Sequence, residues 1–366
     1  MKPYISLLLI PTGIGARIGG FAGDALPIAR ALAATVEQLI THPNVLNGAS
    51  LFWPMKNVLY VEGYGLDQFC AGLWNLRPVR QNRVGVVLDA AIPADLQQRQ
   101  IHVIQAAQAT LGLEIGPCCT TSQPLGITVG YSPSGASQGS LARPDALLRA
   151  AQDLVEAGAE AIAVVARFPD DLDFSQYEQG RGVDPLAGVE AILSHLVVRQ
   201  LRIPCAHAPA FYAESDPKPV HPRAAAEEVG FTFLPSVLVG LSYAPQFVLR
   251  GDPAQAEDIQ VEQVDSVIAP ATAFGGPGLL HLASRSKLPL FIAVRENTTV
   301  MQVHPRQLGI PHVEVGSYLE AIGMVVAHKA GVALPSVWPS GQRIPTVGME
   351  STVLGSISAT EPGRVF

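Results

Sequence analysis

The chain has 366 residues, 48% of them hydrophobic and 15% charged, a composition that excludes a disordered protein and supplies core for one large α/β unit or two lobes. Its net charge is −7 and no window gathers lysine and arginine, which speaks against a nucleic-acid partner. Four cysteines, at 70, 118, 119 and 205, make neither a CxxC pair nor a disulfide scaffold, and no apolar run reaches the roughly 18–20 residues of a membrane span, so reduced thiols, a cytoplasmic setting and no membrane partner are expected.

In chain order, the pattern alternates short β-rich runs with amphipathic stretches, the rhythm of a mainly parallel sheet flanked by helices. Residues 5–10 read as a first buried strand, and 58–61, 84–88, 161–166, 266–269 and 290–294 as further ones, most of them continuously apolar as strands covered on both faces are. Asp24 is a candidate N-cap for a helix whose stripe is Ala29, Leu32, Val36, Leu39 and Ile40. The stretch from 116 to 144 is rich in Gly, Ser, Thr and Pro and reads as a long loop or a hairpin with loops. Leu147, Leu148, Ala151, Leu154 and Val155 stripe the next helix, which Gly158 ends. A Pro-rich segment, AHAPAFYAESDPKPVHPR, places a soft boundary near 205–225, dividing an N-terminal lobe of 1–205 from a C-terminal lobe of 206–366 if the chain is not one domain. The tail after Val332 carries no strong helical pattern and is expected to wrap the body.

Ligands of open parallel sheets bind beyond the carboxyl ends of the strands, which directs attention to the loops there. After the first strand comes PTGIGARIGGFAGD, in which Gly13, Gly15, Gly19 and Gly20 permit backbone N–H groups to face a ligand and Arg17 offers a bidentate clamp, with Asp24 closing the loop. The spacing matches neither GxGxxG nor a P-loop, and a tight turn with close strand–helix packing accounts for the same glycines. Further candidates are Asn44 and Asn47 in THPNVLNGAS, Ser134 and Ser137 in SPSGASQGS, Arg167 and Asp170 in RFPDD, Gly275 and Gly276 in GGPG before a short helix holding His281, and Arg295, Glu296, Asn297 and Thr298 in RENTT. Turn formation, loop ordering and packing compete with ligand contact at each of these. Cys119, beside Cys118, is a candidate thiol nucleophile or a buried small side chain.

Cys205, His207, Glu214, Asp216 and His221 match no compact zinc spacing, so no intrinsic metal is expected; Asp170, Asp171 and Asp173 leave room for a magnesium ion arriving with a phosphorylated substrate.

Taken together, IPTGIGARIGGFAGDALP, THPNVLNGA, SGASQGS, AIAVVARFPDD, GGPG and VRENTT resemble an uncharacterised, domain-of-unknown-function family of cyanobacteria and plastid-bearing eukaryotes over nearly the entire chain. The resemblance implies that setting and no activity. A fainter similarity is to aspartate/glutamate racemase-like enzymes, whose two α/β lobes set a cysteine from each against a small carboxylate; Cys118 or Cys119 echoes one such loop, while APATAFGG has Thr272 and no cysteine.

These readings give an α/β fold, with two Rossmann-like lobes and a cleft as one form of it. The expected function is a soluble enzyme for a small anionic, phosphate- or carboxylate-bearing metabolite, acting by group transfer or hydrolysis with Asp170 or Glu296 as general base. A cysteine-dependent isomerase and a non-catalytic metabolite-sensing or assembly protein, homo-oligomeric or not, are the alternatives.

Overall fold

A computed structural model describes residues 2–212, 219–225 and 233–337. Two parallel sheets organise it. The first pairs β1 (Ile5–Leu8), β2 (Gln38–Thr41) and β3 (Val58–Tyr60) from the start of the chain with β12 (Val264–Pro270), β13 (Leu290–Val294) and β14 (Val313–Val315) from its far end. Its order is β14-β13-β12-β1-β2-β3, the outward-running arrangement of a doubly wound sheet, with the switch between β1 and β12. Between those halves the chain builds a second sheet from β5 (Val84–Leu88), β6 (Ile115–Thr120), β9 (Ala161–Ala166) and β10 (Cys205–Pro209), ordered β10-β9-β5-β6, with its own switch between β5 and β9. A linear division at residue 205 runs across the first sheet, taking β1–β3 from before it and β12–β14 from after it.

The two crossings between the sheets pair with each other. β4 (Trp74–Arg77) on the way out and β11 (Gln246–Leu249) on the way back form an antiparallel ribbon, braced where Arg77 Nε and Nη2 donate to the two oxygens of Asp258 at 2.7 and 2.9 Å. β7 (Ile127–Tyr131) and β8 (Ser137–Leu141) form a hairpin.

Every residue of β1, β5 and β9 is buried, which is why these runs are apolar apart from Ser6, whose hydroxyl bonds to Ser266 Oγ at 2.8 Å. Helices cover both faces: α1 (Leu26–Ala33), α2 (Pro43–Leu46), α3 (Gly63–Cys70), α4 (Ala94–Leu111), α5 (Pro144–Glu156), α6 (Ser175–Glu178), α7 (Ala187–Leu201), α8 (Leu234–Ser242), α9 (Pro277–Ala283) and α10 (Tyr318–Lys329). The α5 stripe is as expected, Leu147, Ala151 and Leu154 being buried, and Gly158 leaves the helix at φ +91°.

Three local expectations are corrected. The first helix stops at Ala33, and Leu39 and Ile40, read as its stripe, are buried in β2; alternate burial of a short apolar run satisfies either period, and β1 needs a neighbour there. Asp24 caps no helix, the N-cap position being Ala25. The Pro-rich segment starts as β10, whose Cys205, Ala206, Ala208 and Pro209 are buried against β9. Glu214, Asp216 and the tail beyond Val337 lie outside the described residues.

Candidate functional site

The loops at the carboxyl ends of both sheets face one cleft of about 900 Å³. The first sheet contributes Leu9–Thr12 after β1, His42–Asn44 and Asn47 after β2, Glu62, Gly63, Leu66 and Asp67 after β3 and Gly276–Leu279 after β12; the second contributes Asp184 and Phe174 after β9, His207 on β10, and Glu190, Ser194 and His195 on α7.

Glu62 is the hub. It follows β3 after one residue, Val61, and is 4% exposed. Oε2 caps α3 by accepting from Tyr64 and Gly65 N–H at 2.8 and 3.2 Å, a placement the helix dipole favours, and Oε1 lies 2.9 Å from Nε2 of His195. The approach depends on Gly63, because a Cβ there would sit 2.8 Å from His195 Nε2. Burial opposes protonation of His195, but the hydrogen bond and charge of Glu62, with Asp67 beyond, outweigh it and raise its pKa. The pair extends inward. Ser194 Oγ donates toward Glu62 Oε1 at 3.5 Å and lies 3.3 Å from Nδ1 of His207, whose Nε2 is 3.7 Å from Glu190. Burial drives His207 down to about 3 and His42 down to about 4, so both rings are neutral, and His42 Nε2 accepts from Ile10 N–H at 3.2 Å.

Two further carboxylates on the wall rest on backbone amides. Asp67 Oδ1 accepts from Gly278 N–H at the start of α9 at 2.9 Å, and Asp184 Oδ1 from Leu186 N–H at 2.9 Å before α7. Desolvation raises both, Asp184 to about 6.

The glycine loop spends much of its backbone on itself and its neighbours. Arg17 N–H donates to Thr298 O at 3.1 Å, Ile18 N–H to Asn297 Oδ1 at 3.0 Å, Gly19 N–H to Asp24 Oδ1 at 2.6 Å and Gly23 N–H to Asn44 O at 2.9 Å. Asp24 is thus an internal anion in the cradle, its other oxygen accepting from Arg223 at 3.0 Å, and desolvation raises it to about 6. Asn297, fully buried, also donates to Ile18 O at 2.8 Å and to the Tyr318 hydroxyl oxygen at 2.7 Å. The turns explain the glycines: Gly13, Gly15 and Gly19 have φ of +68°, +62° and +82°, and a Cβ on Gly20 would lie 2.2 Å from Ala16 O.

The structure therefore brings Gly13, Gly15, Arg17, Gly19, Gly20, Asp24, Asn44, Asn297 and Thr298 together as one interlocked loop system, but only some expected residues reach the cleft. Asn44, Asn47 and Gly276 line it, Asn47 Oδ1 accepting from the Tyr60 hydroxyl at 2.9 Å. Ser137 ties the hairpin to α7 by donating to Pro185 O and accepting from Gly188 N–H, and Ser134 lies exposed at the hairpin turn. Arg167 donates to Ala210 O at 3.0 Å and pairs with exposed Asp170, while its N–H meets Asp89, the buried carboxylate that fills the second sheet's switch point. Gly275 packs on Val303. Arg295 is exposed beside Glu314 at 3.4 Å, and Glu296 Oε1 accepts from Tyr318 N–H at 2.7 Å. Cys119 is on edge strand β6, its thiol directed at Ala150 O at 3.6 Å and raised in pKa by burial. Thr272 bonds to Thr299 Oγ1 at 3.0 Å. The cysteine that lines the cleft is Cys70, whose burial pushes its thiol far up.

Sequence reasoning missed Glu62, Asp67, Asp184, Glu190, Ser194 and His195, and met His207 only among residues set aside as metal ligands. The signal for Glu62 was present, an acidic residue directly after an apolar strand and before GYG.

Two nested parallel α/β sheets sharing a ligand-sized cleft define the class of this protein. The chain belongs to the family described as "Protein of unknown function (DUF3326)", whose model matches residues 5–338. It is similar to a protein of Synechococcus sp. (strain ATCC 27144 / PCC 6301 / SAUG 1402/1) named "Uncharacterized lipoprotein syc1174_c", with 52% identity over 346 residues, covering 94% of this chain and 96% of the relative. Among the described residues no helix is long and apolar enough to cross a membrane.

Proposed function

We propose that this protein is an enzyme that binds a small molecule in the cleft between the two sheets and acts on it by proton transfer, with Glu62 and His195 as the working pair. The carrying observation is the 2.9 Å contact between a carboxylate and an imidazole on the wall of a cleft of about 900 Å³, a size that suits a metabolite. His195 is part-exposed to the cleft, and its raised pKa favours the protonated ring, which can pass its proton to a bound substrate with Glu62 balancing the charge. Ser194 and neutral His207 supply hydrogen bonds along the same wall. Group transfer or hydrolysis suits this inventory.

The anionic substrate expected from the glycine loop draws its support from Arg17 and Arg223, which stand outside the residues lining the cleft. We also propose a cytoplasmic setting, which the four free cysteines support.

Untargeted mass spectrometry of a cyanobacterial metabolite extract incubated with the wild type, Glu62→Gln and His195→Asn tests the enzyme reading. Depletion of a species by the wild type and by neither variant is expected. A species retained on the wild type and never depleted would instead make the protein a binder without catalysis.

A further inference from the structure

His42 is a polar group of the cleft wall that the Glu62–His195 pair leaves unused. It stands directly after β2, lines the cleft and is 9% exposed. The backbone decides its tautomer. Ile10 N–H donates to Nε2 at 3.2 Å, so Nε2 carries a lone pair and the proton of the neutral ring sits on Nδ1. Burial lowers the pKa of the ring and keeps it neutral at physiological pH. Although His42 occupies the N-cap position of α2, its side chain does not cap that helix, and among the described residues Nδ1–H meets no acceptor. A nearly buried donor without an acceptor costs stability, and a ligand that brings an oxygen to it restores the missing bond.

Its place on the sheet sets it beside the working pair. β2 and β3 run parallel with Thr41 opposite Tyr60, and Val61 N–H donates to Thr41 O at 2.9 Å. His42 and Glu62 thus leave two neighbouring strand ends, and paired strands lie about 4.8 Å apart, so a molecule of a few heavy atoms spans both. The two imidazoles differ in kind. His195, its pKa raised by Glu62, favours the protonated ring and can give its proton away, whereas His42 offers a hydrogen bond and keeps its proton. A neutral N–H suits an uncharged oxygen on which negative charge gathers as its carbon reacts, because the bond strengthens with that charge and no proton changes hands. A carbonyl oxygen is such an acceptor.

We propose that His42 is a further catalytic residue, donating from Nδ1–H to the carbonyl oxygen of the substrate, and that the substrate is accordingly a small carbonyl compound. This rests on the enzyme reading of the cleft and names the class of molecule on which it acts.

NMR of the full chain, labelled with nitrogen-15 at histidine and held at neutral pH, tests both halves of this. One ring, assigned by its absence in His42→Gln, where an amide oxygen still serves Ile10 N–H, should show Nδ1 protonated and Nε2 bare. Acetophenone is then titrated against isopropenylbenzene, which has nearly the same shape with C=CH2 in place of C=O. The ketone alone should move the Nδ1 resonance and should bind at least about threefold more tightly, and His42→Leu, which offers a ligand no donor, should bind the two probes equally. The response of Nδ1 in the wild type is read whether or not the leucine variant folds. A ring protonated on Nε2 or on both nitrogens, an Nδ1 resonance unmoved by the ketone, or a preference that survives in His42→Leu overturns the assignment of His42. The metabolite-depletion comparison with Glu62→Gln decides the enzyme reading separately, and a depleted species without a carbonyl group would overturn the present proposal while leaving that reading in place.

Discussion

Glu62 Oε1 and His195 Nε2 lie 2.9 Å apart although one residue follows a strand of the six-stranded sheet and the other stands on a helix of the four-stranded sheet. The pair is therefore a joint between the two sheets as well as the centre of the proposed chemistry. Anything that separates the sheets also separates the proton carrier from its counter-charge.

The joint has a pH signature. His195 has a folded-state pKa above its ordinary value, so its contribution to stability is complete below the unfolded value near 6.5 and is lost as pH rises through the folded one. His195→Asn should cost roughly 0.5–1 kcal/mol at pH 5.5, discounted for the ring's partial exposure, and close to nothing at pH 9. Urea unfolding at the two pH values checks this; an equal cost at both would remove the ion pair from the account.

Gly63→Ala should break the same contact without touching either partner. The added Cβ would meet His195 Nε2 at 2.8 Å and push the ring away, while the helix start itself tolerates alanine. The His195 pKa, followed by NMR, should fall toward or below 6.5, with stability changed by no more than about 1 kcal/mol. An unmoved pKa would mean that the ring reaches Glu62 by another route.

Asp184 carries the opposite linkage from an ordinary surface carboxylate. Its folded value of about 6 exceeds the unfolded one near 3.8, so the unfolded chain loses its proton first and stability declines as pH rises through that interval. The gap corresponds to at most roughly 3 kcal/mol. Asp184→Asn retains an oxygen for Leu186 N–H, so it should melt above the wild type at pH 8 and not at pH 4. Equal melting at both would show that the cleft wall solvates the carboxylate fully.

Asn297 and Arg17 should behave in contrasting ways. Asn297→Ala strands Ile18 N–H, Ile18 C=O and the Tyr318 hydroxyl inside the protein and should cost about 2–4 kcal/mol. Arg17→Ala, at an exposed side chain, should leave the melting temperature unchanged. Thermal unfolding of both variants is the check, and a mild Asn297→Ala would mean that water takes over its bonds.

The architecture was legible where burial is two-sided: residues 84–88, 161–166 and 290–294 are strands with the expected bounds, because a strand covered on both faces has no polar positions to confuse its limits. It was illegible where one pattern serves two periods, as at Leu39 and Ile40. The glycine loop was located from its composition, yet composition could not say that Asp24 and Asn297 would consume its amides from positions 5 and 279 residues away from their partners. The Glu62–His195 pair spans 133 residues and two sheets, and neither residue stands in a recognisable local pattern apart from the acid's place at a strand end. Strand order decides which loops meet, and a sequence does not display it.

The six-stranded sheet draws its central neighbours from opposite ends of the chain, Ile5 lying beside Val264. On a ribosome adding roughly 5–20 residues per second, β1 waits on the order of 13–50 s before β12 emerges to cover its open edge. The four-stranded unit, by contrast, has all its strands within residues 84–209 and completes its pairing during that interval. The nascent chain thus holds a finished inner unit while the apolar edge of β1 stands unpaired, and it is there that a chaperone has something to protect.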